Sequence, residues 1–317
     1  MNDALRLLAK FLKKFGYDIK RHYQYNLLPI SGIESFSSVS ALYHGGEKNN
    51  IGNDNLNDLL VILRTCIREK MDKERPPELT GSSHSELVLR CINSLVAAIN
   101  HAASNNNVNI KLVVLDDHSD AEQKKNIEKI CSKSSATVEI RTTREQGQGN
   151  SLYEQFQIAR DINGICYFCE DDYLHEETAI TEMLRFYRQV ADKCNTHLMI
   201  HPQEHEFLFT RYVYPSYILL GENRHWRTIS HATHTMFTHS TLVATYWDYF
   251  ENTRYVGDKK NRRLGAESRT TNQLFDHVPG FAPVPAVAAH MQTQTSLPPF
   301  FNWRLLWDKN SPDLLNE

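Results

Sequence analysis

Apolar residues gather along this chain in short blocks, and the period inside the blocks changes from one to the next. Leu59-Leu60-Val61-Ile62-Leu63 is a continuous run with β-branched members, the pattern of a strand buried on both faces of a sheet. Ser85 to Ala103 places Leu87, Cys91, Leu95, Val96 and Ile99 at helical spacing and ends in the polar break Ser104-Asn105-Asn106-Asn107, which predicts a helix. A second strand, Ile110 to Leu115, runs into Asp116-Asp117-His118-Ser119-Asp120, and a polar helix follows from about Ala121 to Ser132. Val138 to Ile140 reads as a third strand, Leu152 to Arg160 as a helix, Gly164 to Cys169 as a fourth strand and Glu177 to Ala191 as a helix. Strands and helices alternating at this spacing predict an α/β fold with a mostly parallel sheet, whose ligands bind at the carboxyl ends of the strands.

Outside this stretch the pattern loosens. Leu5, Leu8, Leu12 and Phe15 lie at three- and four-residue spacing, with Arg6, Lys10, Lys13, Lys14, Lys20 and Arg21 largely elsewhere. That is an amphipathic basic helix, suited to an anionic membrane surface or to packing on its own domain. Ile30 to Asn57 is polar and rich in Ser, Gly and Asn, so residues 1–57 are expected to form a helix and connector. Residues 58–299 then form the main domain, and 300–317 an aromatic tail with Phe300, Phe301, Trp303 and Trp307. Phe207 to Tyr249 is aromatic and His-rich and Pro279 to Pro299 is Pro-rich, as expected of an acceptor-binding half.

Composition narrows the partners. The 317 residues carry a formal charge of −3 with both signs interspersed, so no basic field is present to gather nucleic acid. Six cysteines stand mostly singly within apolar runs, the usage of free thiols in a reducing, cytoplasmic setting. No apolar run approaches the roughly 20 residues needed to span a bilayer, and no signal-peptide pattern opens the chain. A cytoplasmic protein, peripheral at most on the inner face of a membrane, is expected.

Two acidic groups stand at predicted strand ends. In the triplet Glu170-Asp171-Asp172 three adjacent carboxylates repel, and a fold keeps them together readily only where a cation or hydrogen-bond donors neutralise them. Mg2+ or Mn2+ held by one or two carboxylates, with diphosphate oxygens and water completing the shell, is the natural partner; the same acids also suit a helix N-terminus. Asp116-Asp117 forms the second group, fit to accept hydrogen bonds from a base or ribose or to cap the helix beginning near Ala121.

At this point the chain resembles the GT-A glycosyltransferases of the large family that includes many bacterial inverting enzymes, over roughly Asp58 to Gln292. Leu60 to Arg68 is similar to that family's first strand and base-wrapping turn, Val113 to Ser119 to its Asp-Asp-Gly-Ser turn with His118 in place of the small residue, and Tyr167 to Leu174 to its acidic metal motif. The resemblance implies a Rossmann-like nucleotide half, a nucleoside-diphosphate sugar (UDP- or GDP-linked) as donor, and a glycan or lipid-linked acceptor. It assigns Thr65, Arg68, Asp116 or Asp117, Arg144, Glu170 and Asp171 to the donor, with Asp172 the first choice as metal ligand. His290, after Ala286 to Ala289, matches a C-terminal histidine that completes the metal shell or touches the diphosphate; imidazole suits Mn2+ better than Mg2+. Glu267, at the expected start of a helix running to about Phe275, matches the carboxylate base of inverting transfer.

Other constellations are weaker. His225, His231, His234 and His239 include no His-Glu-x-x-His run, which argues against a zinc hydrolase; with Trp226 they suit an acceptor cleft. Cys166 and Cys169 point to opposite faces of an extended strand, which disfavours a disulfide or metal pair. A sugar-nucleotide pyrophosphorylase would carry a Gly-rich loop after the first strand, and Arg64 to Pro77 has no glycine. A catalytically silent glycan-binding scaffold is the alternative outside enzymology.

Overall fold

The computed structural model describes residues 8, 11–12, 14–15, 25–29, 49–70, 79–204, 216–221, 223–255 and 265–312. The expected alternation is present. Strand β1 spans Tyr25–Pro29, and β2 (Asp58–Thr65) leads to helix α1 (His84–Asn105). Then come β3 (Asn109–Asp116), α2 (Ala121–Cys131), β4 (Thr137–Thr142), α3 (Gln148–Arg160), β5 (Ile165–Glu170), β6 (Tyr173–His175) and α4 (Ala179–Cys194). Beyond it lie β7 (Met199–Ile200), β8 (Ser216–Leu220), β9 (His225–Ile229), β10 (Met236–His239), α5 (Ser240–Thr245), α6 (Trp247–Glu251), β11 (Gly280–Val284), β12 (Ala288–His290) and α7 (Trp303–Lys309).

Ten strands form one sheet in the order β1-β8-β9-β11-β7-β10-β5-β2-β3-β4. The β5-β2-β3-β4 part is wholly parallel, while β10 runs antiparallel to both β5 and β7. Alternate side chains of each central strand enter different cores. Leu59, Val61 and Leu63 join α1, α2 and α4 on one face, and Leu60 and Ile62 join α3, α5 and α6 on the other. Continuous apolar runs are therefore strands covered on both sides, as the sequence pattern implied. Cys166 and Cys169 fall in different cores, and all six cysteines are free.

The outlying segments pack onto this body. β1 adds to the sheet edge beside β8, and Asn49 bonds to the His277 carbonyl at 2.9 Å. At the other end, Arg90 of α1 stacks over Trp307 at 4.6 Å and donates to its carbonyl at 2.6 Å. α1 is long and apolar enough to cross a bilayer by length and composition alone, but most of its apolar window is buried inside the protein. Most of the basic segment 1–22 lies outside the described residues; Leu8, Phe11 and Phe15 within it are exposed.

Candidate active site

Strand register brings the acids to one edge. Thr65 lies opposite Asp116 and Arg64 opposite Glu170, so the carboxyl ends of β2, β3 and β5 present both acidic groups side by side.

The Asp116-Asp117 turn is closed on itself. Asp116 is almost fully buried and accepts from Thr65 Oγ1 at 3.2 Å and from Ser119 N at 3.1 Å, with Lys124 Nζ at 3.3 Å. Thr65 and Asp116 thus bind each other beneath the turn. Asp117 accepts from the backbone of Gly147 at 3.1 and 3.0 Å. Gly147 has φ +116, a conformation that side chains disfavour, and it aims this N–H from the turn before α3. Arg68 donates to the Asp117 and His118 carbonyls at 2.6 and 3.2 Å and comes within 3.6 Å of the Asp117 carboxylate. It braces the turn.

Each acid of the triplet has its own compensation. Glu170 pairs with Arg64 at 2.8 Å, whose guanidinium also reaches Ser151 at 3.0 Å. Asp171 turns inward and accepts from Cys66 N at 2.8 Å; burial, reinforced by the neighbouring Asp172 charge, pushes its carboxyl up to about 7. Asp172 meets His290 at 3.1 Å. Burial opposes charge on both, but their mutual attraction prevails: Asp172 lies below the usual carboxylate range and His290 above the usual imidazole range. The triplet's repulsion is therefore relieved by an arginine, a proton and a histidine, so repulsion alone does not call for a metal. What remains is Asp172 Oδ1, buried without a hydrogen-bond partner. A carboxylate oxygen so placed beside an imidazole fits a divalent ion with mixed oxygen and nitrogen ligands.

A small ribbon makes the Asp172–His290 contact. β12 pairs antiparallel with β6, with His290 opposite Tyr173; the two rings stack at 4.7 Å, and Met291 N bonds to the Asp172 carbonyl at 2.8 Å. Gln203 accepts from His290 N at 2.7 Å. The sequence pattern gave no sign of this ribbon, although both residues had been singled out.

Glu267 arrives from the second half. Instead of a helix to Phe275, it opens a 3-10 turn, Glu267–Arg269, followed by another over Thr271–Asp276. Thr270, at φ −128 and ψ −108, interrupts the helical path between them. Glu267 Oε1 lies 3.4 Å from Nδ1 of the buried His234. Its charge acts also on His231 and His290.

Two residues expected at the site stand elsewhere. Arg144 is exposed and lines a cavity of about 240 Å³ on the flank of α3 with Glu145, Tyr153 and Arg254; none of the strand-end acids lines it. Trp226 stacks on Phe186 at 4.0 Å inside the core, so it offers no face to a sugar. The histidines also disperse. His225 is exposed and His231 bonds Asn272 at 3.0 Å. His239 lies at the opposite end of the sheet, where its ligand-capable nitrogen comes within 4.8 Å of those of Asp54 and His197. There Thr241 N donates to His239 Nδ1, Asn55 O faces His239 Nε2, and Tyr187 Oη and Asp54 take the two nitrogens of His197, so that cluster is complete without an ion.

Sequence reasoning missed Arg64, which carried a signal, since a charge closing a fully buried strand needs a partner. It grouped His234 with three other histidines at an acceptor cleft, and nothing in the pattern paired it with Glu267.

No curated protein matches the chain. Among solved structures it is similar to S. aureus TarS, at 15% identity over 71% of this chain and 36% of that one, with a TM-score of 0.40. It is similar also to TarS 1-349 in complex with UDP-GlcNAc, at 13% over 71% and 58% with a TM-score of 0.39. A UDP-glucose pyrophosphorylase complexed with UDP-glucose shows 10% identity over 82% and 98%, with a TM-score of 0.41. The chain thus spans about a third of the TarS chain, and likenesses this distant carry no functional weight. The family model for glycosyl transferase family 2, by contrast, matches residues 83–244, which is more than half of the chain and includes the Asp116-Asp117 turn, the acidic triplet and His234. The chain belongs to glycosyl transferase family 2, and its α/β fold with a parallel strand group flanked by helices is of the class that the resemblance implied.

Proposed function

We propose that this glycosyltransferase moves a sugar from a UDP- or GDP-linked donor to a hydroxyl of a glycan or lipid-linked acceptor, with inversion at the anomeric carbon. The observation that carries the reading is a pair of differently prepared carboxylates, Asp172 joined to His290 at 3.1 Å and Glu267 beside His234 at 3.4 Å, with the charge of Glu267 reaching His290. Asp172 and His290 are the residues that would hold Mn2+ or Mg2+, and the mixed oxygen and nitrogen set favours Mn2+. Such an ion supplies positive charge beside the departing diphosphate.

The chain's own residues do the rest. Asp117 and the turn braced by Arg68 border the donor side, and Arg64 holds Glu170 in place. Glu267, the more exposed partner of its pair, takes the proton of the acceptor hydroxyl as that oxygen attacks the anomeric carbon. The bond from that carbon to the phosphate oxygen breaks, and its electron pair leaves with the nucleoside diphosphate. One base and one direct displacement give inversion.

Calorimetric titration of UDP and GDP, with and without Mn2+, tests the donor half of the reading. We expect metal-dependent binding of one nucleotide and its loss in Asp172→Ala, with transfer reduced about a thousandfold. Glu267→Gln is expected to keep that binding while transfer falls about a hundredfold or more. Full turnover by Glu267→Gln would remove the base assignment, and no binding of either nucleotide under any metal condition would remove the donor assignment.

A further inference from the structure

Among the described residues, His234 is the one buried histidine with neither ring nitrogen hydrogen-bonded. Its side chain is 4% exposed, and neither ring nitrogen has a hydrogen-bond partner. Leaving a buried donor and acceptor unmade is costly, and a native fold keeps such a group where function uses it. The group nearest to closing the deficit is Glu267, whose Oε1 is 3.4 Å from His234 Nδ1, a few tenths of an ångström beyond an ordinary N–H to O hydrogen bond. Catalytic hydrogen bonds are often long before substrate binds and tighten in the complex.

The ring is held firmly on both sides. Thr233 Oγ1 bonds Tyr173 Oη at 2.8 Å and accepts from Thr235 N at 3.1 Å, while Thr235 Oγ1 accepts from Glu170 N at 3.2 Å. The loop is also tied to the 3-10 turn that follows the one carrying Glu267, through Ala232 N to Asn272 Oδ1 at 3.1 Å. The loop that carries the ring is thus held by four hydrogen bonds, one of them toward the Glu267 segment, while ring and carboxylate have no bond of their own. Besides Glu267, the charged groups acting on the ring are Glu170 and Arg64, which already neutralise each other. Burial keeps the imidazole neutral, down to about 4, so it has one N–H to give.

Exposure orders the pair. Glu267 is 37% exposed and His234 4%, so of the two it is the carboxylate that an acceptor hydroxyl can reach. Resting on the reading of Glu267 as the base, we infer that His234 is its positioning residue: Nδ1–H closes onto Oε1 when the acceptor binds and turns the other carboxylate oxygen toward the acceptor hydroxyl.

The test is steady-state kinetics of His234→Ala, His234→Asn and His234→Gln with calorimetric nucleotide binding on the same preparations. An asparagine amide nitrogen overlays Nδ1, whereas a glutamine amide reaches toward Nε2. We expect His234→Ala to lower kcat about 10- to 100-fold with the donor KM and nucleotide affinity within twofold, His234→Asn to recover most of the loss, and His234→Gln to recover little. A kcat within threefold of the parent in His234→Ala would overturn the inference. So would equal losses in all three variants accompanied by loss of nucleotide binding, since that marks a merely structural ring. Should His234→Ala fail to fold, the Asn and Gln variants still decide between the two nitrogens. Failure here leaves the base reading intact if Glu267→Gln is inactive, and full activity of Glu267→Gln would remove that reading whatever the His234 variants do.

Discussion

The parallel part of the sheet and the mixed part beyond β5 treat their functional side chains in opposite ways. In the parallel part the acids stand at strand ends, and neighbouring strands and turns satisfy them: Thr65 and Ser119 serve Asp116, Gly147 serves Asp117, Arg64 serves Glu170 and Cys66 serves Asp171. In the mixed part Glu267 and His234 come from irregular segments and reach no full hydrogen bond with each other. Parallel strands fix the position of everything at their carboxyl ends through register, so satisfied polar groups come with the topology. Loops and 3-10 turns can be placed to leave groups open, and an open buried group is available to a substrate.

Substitution of Arg64 should sharpen this contrast most. Arg64→Met leaves Glu170 only 19% exposed and without its cation, and breaking a buried pair in this way costs about 3 kcal/mol or more. Glu267→Gln, at a half-exposed position with no hydrogen bond to lose, should cost less than about 0.5 kcal/mol. Urea denaturation of the two variants checks the difference. Similar losses would mean that the mixed part is as tightly satisfied as the parallel one.

How far the sequence revealed each part follows from the same physics. The strand at 59–63 extends to Asp58–Thr65 and the helix at 85–103 to His84–Asn105, because continuous apolar runs and helical periodicity are forced on elements covered by a core. Glu267 was legible as a residue but not as an element. Thr270, Thr271 and Asn272 are poor helix formers, and Thr270 Oγ1 bonds back to the Ala266 carbonyl at 3.0 Å, so the segment turns twice instead of winding on. The surroundings of Trp226 and Arg144 were not legible for a related reason: whether a long side chain faces the core or a neighbouring flank depends on its packing partners, and the pattern around it is silent on those.

The two parts meet also at the sheet end away from the acids, and acid should loosen that joint. Asp54, just before β2, bonds His197 beside β7 at 2.9 Å and Thr241 of α5 at 2.7 Å, and His239 of β10 stacks on His197 at 4.5 Å. Burial holds both imidazoles below their ordinary 6.5, His239 down to about 4. Asp54, although burial opposes it, is kept below its ordinary 3.8 by bonds from Thr241 and His197. A histidine held neutral takes up fewer protons folded than unfolded. Its contribution is therefore complete above pH 6.5 and is lost as pH falls toward 4, and Asp54 adds a loss only below 3.8. For His239 alone the loss by pH 4.5 is about 2 kcal/mol. Urea denaturation at pH 7.5 and 4.5 should show a smaller pH dependence in His239→Asn than in the parent chain. An unchanged dependence would show that the joint does not carry the acid sensitivity.

The smallest expected effect lies inside the parallel part and tests how complete its self-satisfaction is. His118 occupies the left-handed region at φ 58, at the place where the family's turn carries a small residue. A non-glycine side chain there costs about 1–2 kcal/mol, and His118→Gly would relieve it. Glycine gives back about 0.4–1 kcal/mol through the freer unfolded chain, and the long contact of the imidazole with Thr143 Oγ1, 3.3 Å, is lost as well. The balance should be a stabilisation of less than about 1 kcal/mol, read from the urea midpoint. A destabilised His118→Gly would mean that the contacts to Thr143 and, at 3.4 Å, to Asp117 outweigh the strain. The imidazole would then be one more donor that the parallel part supplies to its own acid, and its presence in place of the small residue would be explained by Asp117 rather than by the backbone.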